Sequence, residues 1–521
     1  MNRLKEAYDR NKKWLLFSLM STFLWGFAAH GYRFLHSSFS GDSLSEFSGA
    51  VSGNSWKIQL GRVIVPIYRA VFRTSLTLPW LEGLLSLLWI GLAVYLTIRI
   101  FQVESKGTAF LIAGIFTANI TVSATAATFM HDYDCDMFAL FCAVVAVYLW
   151  QNVRWGELPG AFFLALSLGL YQSYVLVAVV LVMFVCILAL LNEESVPSVF
   201  TKGLRAIGML LLGGILYYII MQAVLMITGI PLAAGDAESH SLGSALSLSL
   251  RSIPSLVYYT YCDCIHRLLN VVSPYPELLV KGMTLVLSLI VMIALFAGLS
   301  NKRVSWPGKL LCIALTCLLP LAMNLLYIPT NGIIHDLMVY AIWLFYLLAL
   351  LLAGWLAKRA KPQKGGKLLR TVSAALIFVL LYGNVQTSNV MYLKKDMEQN
   401  AFQSLMTRIV YRMEDCDEYE PGTTPVVFVG MLEQLNEVIP GFEKYRGITG
   451  MDSSAVATTN EDYRVRAYFQ YVLNNPAVIA DNDTWQTMWS DPRVAQMPCY
   501  PEDGCVSMVD GILVVKVGET K

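Results

Sequence analysis

Charge is scarce in this sequence, and neither sign dominates. Only 14% of the 521 residues are Asp, Glu, Lys or Arg, whereas a soluble globular domain carries about 25%. Apolar residues make up 56% of the chain, and the mean hydropathy is +0.55. This composition argues against a soluble protein. A net charge of +1 also gives no electrostatic basis for binding nucleic acid.

Several other signals are missing. The sequence has no internal repeat and no low-complexity segment. Its ten cysteines include no Cys-x-x-Cys pairs with histidine partners, so we do not expect a zinc site. An apolar run starting at Trp14 follows basic residues but lacks a small-residue cleavage pattern, which indicates a retained first helix. Cys499 and Cys505 bracket a turn that could bring them within bridging distance, and the sequence does not decide whether they form a disulfide.

Long apolar runs are the main positive feature. A helix of about 20 apolar residues crosses a hydrocarbon core roughly 30 Å thick. Clear runs lie at 14–31, 79–100, 108–129, 137–152, 206–228, 279–299, 309–327, 335–356 and 369–389. A further run, 158–191, contains more apolar residues than a single crossing needs.

Lysine and arginine positions decide how often 158–191 crosses, because short cytoplasmic loops carry the excess of positive charge. If the N-terminus is cytoplasmic, a single crossing would leave Lys202, Lys302 and the basic run 358–361 outside. Two crossings, hinged near 169–173, place all three inside. We therefore predict an α-helical polytopic membrane protein with about eleven transmembrane helices, two of them short.

The same topology defines the outer segments. They are a first outer loop at 32–78, tight turns at 130–136, 170–173 and 328–334, a large loop at 229–278, and a tail. Charged residues return in the tail, where 425–430 resembles a buried strand, 461–475 an amphipathic helix and 506–517 a hairpin turning at Asp510-Gly511. We predict a transmembrane domain at 1–390 and a small extracytoplasmic α+β domain at 391–521.

Carboxylates near the outer face are candidates for catalytic or ligand-binding roles, because charges at membrane depth are costly. Asp42 and Glu46 follow the first crossing, although a solvated role is the ordinary expectation for a loop acid. A second group is His131, Asp132, Asp134 and Asp136. One of these acids could cap the next helix, but capping cannot use all three. The others could bind sugar hydroxyls, position a base or coordinate a divalent cation.

Other candidates lie on the same side. Tyr171 and Gln172 occupy the predicted hinge, and His335 and Asp336 lie near another outer turn, where helix capping is an equal alternative. Lys516, on the last predicted strand, is expected to be solvated. The first outer loop carries an unusual set of cations, namely Lys57, Arg62, Arg69 and Arg73. These cations could contact lipid headgroups or hold a phosphate.

This distribution bears on function. Acids, bases and aromatic residues converge on one side, whereas a secondary transporter should show charged or broken helices at the midplane in two matching halves. An enzyme acting on lipid-linked substrates at the outer surface fits better. A polysaccharide polymerase, ligase or flippase stays open as an alternative, although the large loop has only Arg251 and Arg267.

Several short motifs resemble one family in their order and spacing. The first motifs are an acid after helix one, Gln59-Leu-Gly-Arg62 with Pro66, and the Asp-rich end of the third predicted helix at 131–136. The later motifs are Leu170-Tyr-Gln-Ser173, and Met497-Pro-Cys-Tyr-Pro501 with Asp510-Gly511 and Val514-Val-Lys516. Over nearly the whole chain, they are similar to the membrane glucosyltransferases that decorate bacterial O-antigen, the Gtr type II family.

The resemblance implies a GT-C type fold and an inverting glycosyltransferase in the bacterial cytoplasmic (inner) membrane. The donor would be a hexose, with glucose as the family default, on a polyprenyl phosphate. The acceptor would be a cell-surface glycan or a lipid-linked glycan. Asp42, with Glu46 as substitute, would be the catalytic base. Arg62, with Lys57 or Arg69 in reserve, would stabilise the leaving phosphate.

In the same resemblance, the acids of 131–136 would bind sugar, or a metal where one is used. Nothing in the sequence requires a cofactor, and Mg²⁺ or Mn²⁺ stays an open alternative.

Overall fold

Helices dominate the computed structural model, which describes residues 2–36, 43–44, 50–74, 76–233, 252–359, 363–430, 442–451 and 462–519. The helices preceding the tail are α1 (Asn2–Leu35), α2 (Ala50–Gln59), α3 (Val65–Phe72), α4 (Pro79–Ile100), α5 (Lys106–Thr117), α6 (Ile120–Thr128), α7 (Met130–Asn152), α8 (Glu157–Leu170), α9 (Val175–Leu191), α10 (Val196–Thr228), α11 (Ile253–Leu269), α12 (Glu277–Leu299), α13 (Trp306–Met323), α14 (Leu344–Arg359) and α15 (Gln363–Glu414).

Many of these helices are suited to a bilayer. Among the described residues, eight helical segments are long and apolar enough to cross, and the bent pair α5–α6 would be a ninth. The chain is therefore a multi-pass membrane protein. The predicted count of eleven also requires α1 and the 14-residue α8 to cross, and it stays a prediction.

The run predicted at 108–129 is not one helix. It is bent by 42° between α5 and α6, where Asn119 caps α6 by accepting a hydrogen bond from the Val122 amide at 3.1 Å. Carbonyls freed at the break need partners inside a membrane. His30 lies 3.0 Å from the Thr117 carbonyl, and Asn384 donates to the Ala118 carbonyl at 3.1 Å. The break is thus satisfied by neighbouring helices.

The turn predicted at 130–136 is wrong. These residues are the first two turns of α7, which begins at Met130 rather than near 137. Asp132 and Asp134 in this stretch are buried against cations from other elements, so they do not need a solvated loop. The connection between α6 and α7 is therefore the single residue Phe129.

The predicted hinge in 158–191 is present. α8 ends at Leu170, a 3-10 turn covers Gln172–Tyr174, and α9 follows. Gly169 fixes the hinge against the first outer loop, because its carbonyl accepts from the Ile64 amide at 2.9 Å. The segment predicted as the large loop at 229–278 contains α11.

The strand, the amphipathic helix and the hairpin predicted in the tail are present, together with one strand and two short helices that the sequence pattern does not predict. The tail elements are β1 (Pro425–Val429), α16 (Asp462–Tyr471), β2 (Val478–Ile479), α17 (Asn482–Trp489), α18 (Pro492–Gln496), β3 (Val506–Val509) and β4 (Ile512–Lys516). The sheet has the order β2-β1-β4-β3, with β1 parallel to β2 and β4. The β3–β4 hairpin turns through Asp510 (φ 50°) and Gly511 (φ 78°), as predicted.

α15 joins the membrane helices to the tail. It runs without interruption across residue 390, and its residues Phe402 and Ile409 pack in the core of the sheet. The predicted boundary between 390 and 391 therefore falls within one 52-residue helix, and the division into two domains stays a prediction.

The structure decides one open alternative in the tail and corrects one expectation. All ten cysteines are free, so Cys499 and Cys505 are not bridged. Lys516 is buried instead of solvated, because its ammonium group donates to the carbonyls of Ala495 at 2.9 Å and Met497 at 2.7 Å.

Candidate functional site

The first two turns of α7 face the short helices of the first outer loop. Asp132 is the centre of this contact and is buried. Lys57 on α2 forms an ion pair with Asp132 Oδ2, and Arg69 on α3 approaches Oδ1 at 3.1 Å. Arg62, between the two helices, lies 3.4 Å from Oδ2. One carboxylate thus gathers three cations from the first outer loop.

Asp134 has a different partner. Arg73 Nε, just after α3, lies 2.9 Å from Asp134 Oδ2, and Arg73 Nη1 lies 3.1 Å from Glu82 on α4. All three side chains are completely buried. Burial alone would lower the pKa of Arg73, but the two carboxylates outweigh it and raise the pKa, so the guanidinium group remains charged.

His131 is held by both its ring and its backbone. Its ring nitrogens lie 3.3 Å from Ser43 Oγ and 3.4 Å from Lys57 Nζ. Because an ammonium group only donates, Nε2 accepts and the neutral ring carries its proton on Nδ1. The His131 carbonyl accepts from Arg69 at 3.1 Å and also from Arg73. This residue therefore positions the cations.

The four first-loop cations do not all contact solvent or headgroups. Lys57, Arg69 and Arg73 are buried, with exposed fractions of 8% or less. The headgroup interpretation is wrong for these three, since they pair with acids inside the protein. Arg62 is partly accessible, with 19% of its side chain exposed.

Arg62 connects the cation group to the hinge. Its guanidinium carbon lies 4.3 Å from the centre of the Tyr171 ring, within the range of a cation–π contact. Gln172 Nε2 donates to the Leu60 carbonyl at 3.2 Å. Both predicted hinge residues thus contact the 60–62 segment, and Gln172 has a positioning contact.

Asp136 also lies in α7 and is only 5% exposed. Its carboxylate interacts electrostatically with Asp132, Arg62 and Lys57. Within the part of the chain that the structure describes, it forms no hydrogen bond and no ion pair. It therefore differs from the other two acids of 131–136.

His335 and Asp336 belong to a separate contact. Asp336 Oδ1 pairs with Arg267 at 2.6 Å, and Oδ2 accepts from the Thr449 amide at 2.8 Å. The Thr121 hydroxyl donates to the Asp336 carbonyl at 2.6 Å. Asp336 thus ties the 442–451 segment to α6 and α11, which is a structural use of the carboxylate.

Asp42 and Glu46, the predicted base and its substitute, lie outside the described residues. Their roles remain predictions.

The sequence pattern does not predict the ion pair between Arg73 and Glu82. Glu82 lies within the apolar run 79–100, and Arg73 is one of four cations in the first outer loop. A carboxylate in the first turn of a membrane helix is itself a signal, because it requires a partner at that depth.

The described acids do not form a metal site. Across the described residues, no group of three His, Cys, Asp or Glu side chains is arranged to hold a metal ion. Asp132 and Asp134 already face cations, which would repel a divalent ion. A requirement for Mg²⁺ or Mn²⁺ stays an untested alternative.

One comparison with known proteins gives a match. A family model described as glucosyl transferase GtrII matches residues 32–335, which is more than half of the chain. The matched region starts at the first outer loop and includes both α7 and the hinge. Searches of curated proteins and of solved structures give no match.

Proposed function

This chain belongs to the glucosyl transferase GtrII family, and on that premise we propose that it transfers glucose from a polyprenyl-phosphate donor. The acceptor is a cell-surface glycan or a lipid-linked glycan. The reaction takes place at the outer face of the bacterial cytoplasmic membrane, with the N-terminus cytoplasmic and the tail outside.

The partly accessible guanidinium group of Arg62 is the observation that most directly supports this proposal. It contacts Asp132 only at 3.4 Å and stacks on Tyr171, and part of its side chain is accessible. A guanidinium group has five N–H donors suited to phosphate oxygens. Arg62 therefore has donors to offer an incoming phosphate, whereas the donors of Arg73 are used within the protein.

The remaining groups hold Arg62 in place. Lys57 and Arg69 fix Asp132, and Tyr171 supports the guanidinium face. Such preorganised charge stabilises a leaving phosphate without reorganisation during the reaction. A lipid-linked donor explains why the cations lie among apolar helices, since the polyprenyl chain stays in the bilayer.

The proposed reaction is a single displacement. Asp42 takes the proton of an acceptor hydroxyl, and the oxygen forms a bond to the anomeric carbon of glucose. The bond between that carbon and the phosphate oxygen breaks, and the polyprenyl phosphate leaves with the electron pair. The configuration at the anomeric carbon inverts. Glu46 is the substitute base.

The donor class can be tested with the full chain in membranes. We expect labelled glucose to transfer from polyprenyl-phosphate glucose but not from a nucleotide sugar. Arg62→Gln should lower kcat by about 10²-fold, the loss typical of removing one stabiliser of developing charge. Arg154→Gln, at an exposed arginine in the connection between α7 and α8, is the matched control and should remain active.

Two outcomes would contradict the proposal. Transfer from the nucleotide sugar alone would reject the polyprenyl donor, and an Arg62→Gln variant with wild-type kcat would reject the role of Arg62. The same assay with a chelator tests the metal: loss of activity restored by Mg²⁺ or Mn²⁺ would show that one is required.

A further inference from the structure

The three acids of α7 differ in what surrounds their carboxylates. Asp132 faces Lys57, Arg62 and Arg69, as described above. Asp134 pairs with Arg73 and accepts from the Cys135 amide at 3.0 Å. Asp136 is 95% removed from solvent yet has no hydrogen bond or ion pair within the described part of the chain.

A largely buried carboxylate without a hydrogen bond is costly, because little water reaches it to replace the missing partner. Native proteins keep few such groups, and each needs an explanation. A hydrogen bond or a close ion pair gives no explanation here, since Asp136 forms neither with the residues that the structure describes. A ligand with its own hydrogen-bond donors would supply the hydrogen bonds that the Asp136 carboxylate lacks.

A second polar atom without a hydrogen bond among the described residues is found in the hinge, on Tyr174. The hydroxyl of Tyr174 is completely buried and forms no hydrogen bond among the described residues. Tyr174 lies close enough to Asp136 to interact with its charge, as does Tyr171. The ring centres of Tyr171 and Tyr174 are 5.8 Å apart. Where the hinge meets α7, two buried polar groups therefore form no hydrogen bond with any residue that the structure describes.

We propose that Asp136 binds a hydroxyl of the donor glucose, with the Tyr174 hydroxyl as a second contact. A sugar hydroxyl donates to a carboxylate and accepts from a phenol, so it satisfies both groups at once. Aromatic rings such as Tyr171 also provide apolar surface beside the sugar. This inference rests on the proposed function and adds the residue that recognises the sugar.

Arg62 assigns the hydroxyl to the donor instead of the acceptor. In polyprenyl-phosphate glucose, the phosphate is bonded directly to the anomeric carbon of the sugar. Arg62, proposed for that phosphate, interacts electrostatically with Asp136 and stacks on Tyr171. The phosphate and the sugar of one donor molecule can therefore reach Arg62 and Asp136 together.

Thermal stability separates this role from a structural one. Asp136→Asn keeps the size of a buried side chain that forms no hydrogen bond with the described residues, so its melting temperature should equal or exceed that of the wild type. Asp134→Asn, the matched control, removes a paired acid and should lower the melting temperature. A clear loss of stability in Asp136→Asn would show that the carboxylate has a structural partner and would overturn the inference.

Binding by the purified full chain in nanodiscs tests the ligand. For Asp136→Asn, we expect the Kd of polyprenyl-phosphate glucose to rise at least tenfold. The Kd of sugar-free polyprenyl phosphate should stay within twofold of the wild-type value. Donors carrying single deoxy positions should identify the hydroxyl: its loss should weaken wild-type binding but add little in Asp136→Asn.

The contrary outcomes are distinct. Wild-type donor affinity in Asp136→Asn would overturn the inference and leave the proposed function standing. Equal weakening of the sugar-free lipid would assign Asp136 to the phosphate, and a change confined to the KM of the acceptor would assign it to the acceptor; either result overturns the donor assignment. A wild-type chain that binds no polyprenyl-phosphate sugar would overturn both proposals.

Discussion

Arg73 joins three parts of the site, and its replacement shows how the buried charges stabilise the fold. The residue follows α3, and its guanidinium group pairs with Asp134 on α7 and Glu82 on α4. Arg73→Met keeps an apolar stem of similar length but removes the charge. Two completely buried carboxylates would then lack their cation.

The expected loss is large. Removing one partner of a buried ion pair costs about 3–5 kcal/mol, and here one arginine serves two acids. Typical proteins have a total stability of about 5–15 kcal/mol. We therefore expect Arg73→Met to unfold at a markedly lower temperature in detergent, and to give a poor yield of monodisperse protein.

A compensated variant makes this test specific. In Arg73→Met/Glu82→Gln/Asp134→Asn, no unpaired charge remains, because both acids are replaced by neutral groups of similar shape. A buried amide costs less than a buried charge without a partner, so this variant should recover more than about half of the lost stability. The reasoning is refuted if Arg73→Met is as stable as the wild type, or if the triple variant is no better than the single one.

Two further predictions concern the 442–451 segment and the turn beside it. Gly450 has a φ of +76°, and an added Cβ would clash with Thr128 Oγ1. Gly450→Ala should therefore cost about 1–3 kcal/mol by overpacking. This cost is measured as a lower melting temperature than that of Gly447→Ala, where a Cβ meets open space. Burial lowers the pKa of His335 below its usual 6.5, so the folded state favours the neutral ring. The contribution of His335 to the free energy of unfolding should be fully present above about pH 6.5 and decline as the pH falls through the lower pKa of the folded state. Melting curves from pH 8 to 5 should show a smaller acid loss for His335→Gln, and an identical loss would contradict this.

Composition and apolar periodicity predict much of the fold. The break at Leu170 follows from a run too long for one crossing, and the Asp510-Gly511 hairpin follows from local turn chemistry. The start of α7 at Met130 could not be predicted in this way. Its acids look like a loop by local sequence, and only pairing with distant cations such as Arg73 makes them compatible with a buried helix.

The candidate site divides in a similar manner. The sequence places acids and cations on the same side, and the structure brings Lys57, Arg62 and Arg69 to Asp132. The sequence alone could not show that Asp132 and Asp136 differ, because the difference depends on which of the two carboxylates pairs with cations distant in the sequence. It also gave no sign that Asp336 binds the 442–451 backbone, since that contact joins residues more than 100 positions apart.

The proposed reaction transfers glucose from a polyprenyl phosphate and uses an acid of the first outer loop as the base. The most direct test compares transfer of labelled glucose to membrane glycan by the wild type and by a well-expressed Asp42→Asn variant. We expect activity in the wild type and near-total loss in the variant, with unchanged binding of the donor. Full activity in Asp42→Asn would remove Asp42 from the mechanism and direct the search to Glu46, and no transfer by the wild type from any polyprenyl-linked sugar would contradict the account.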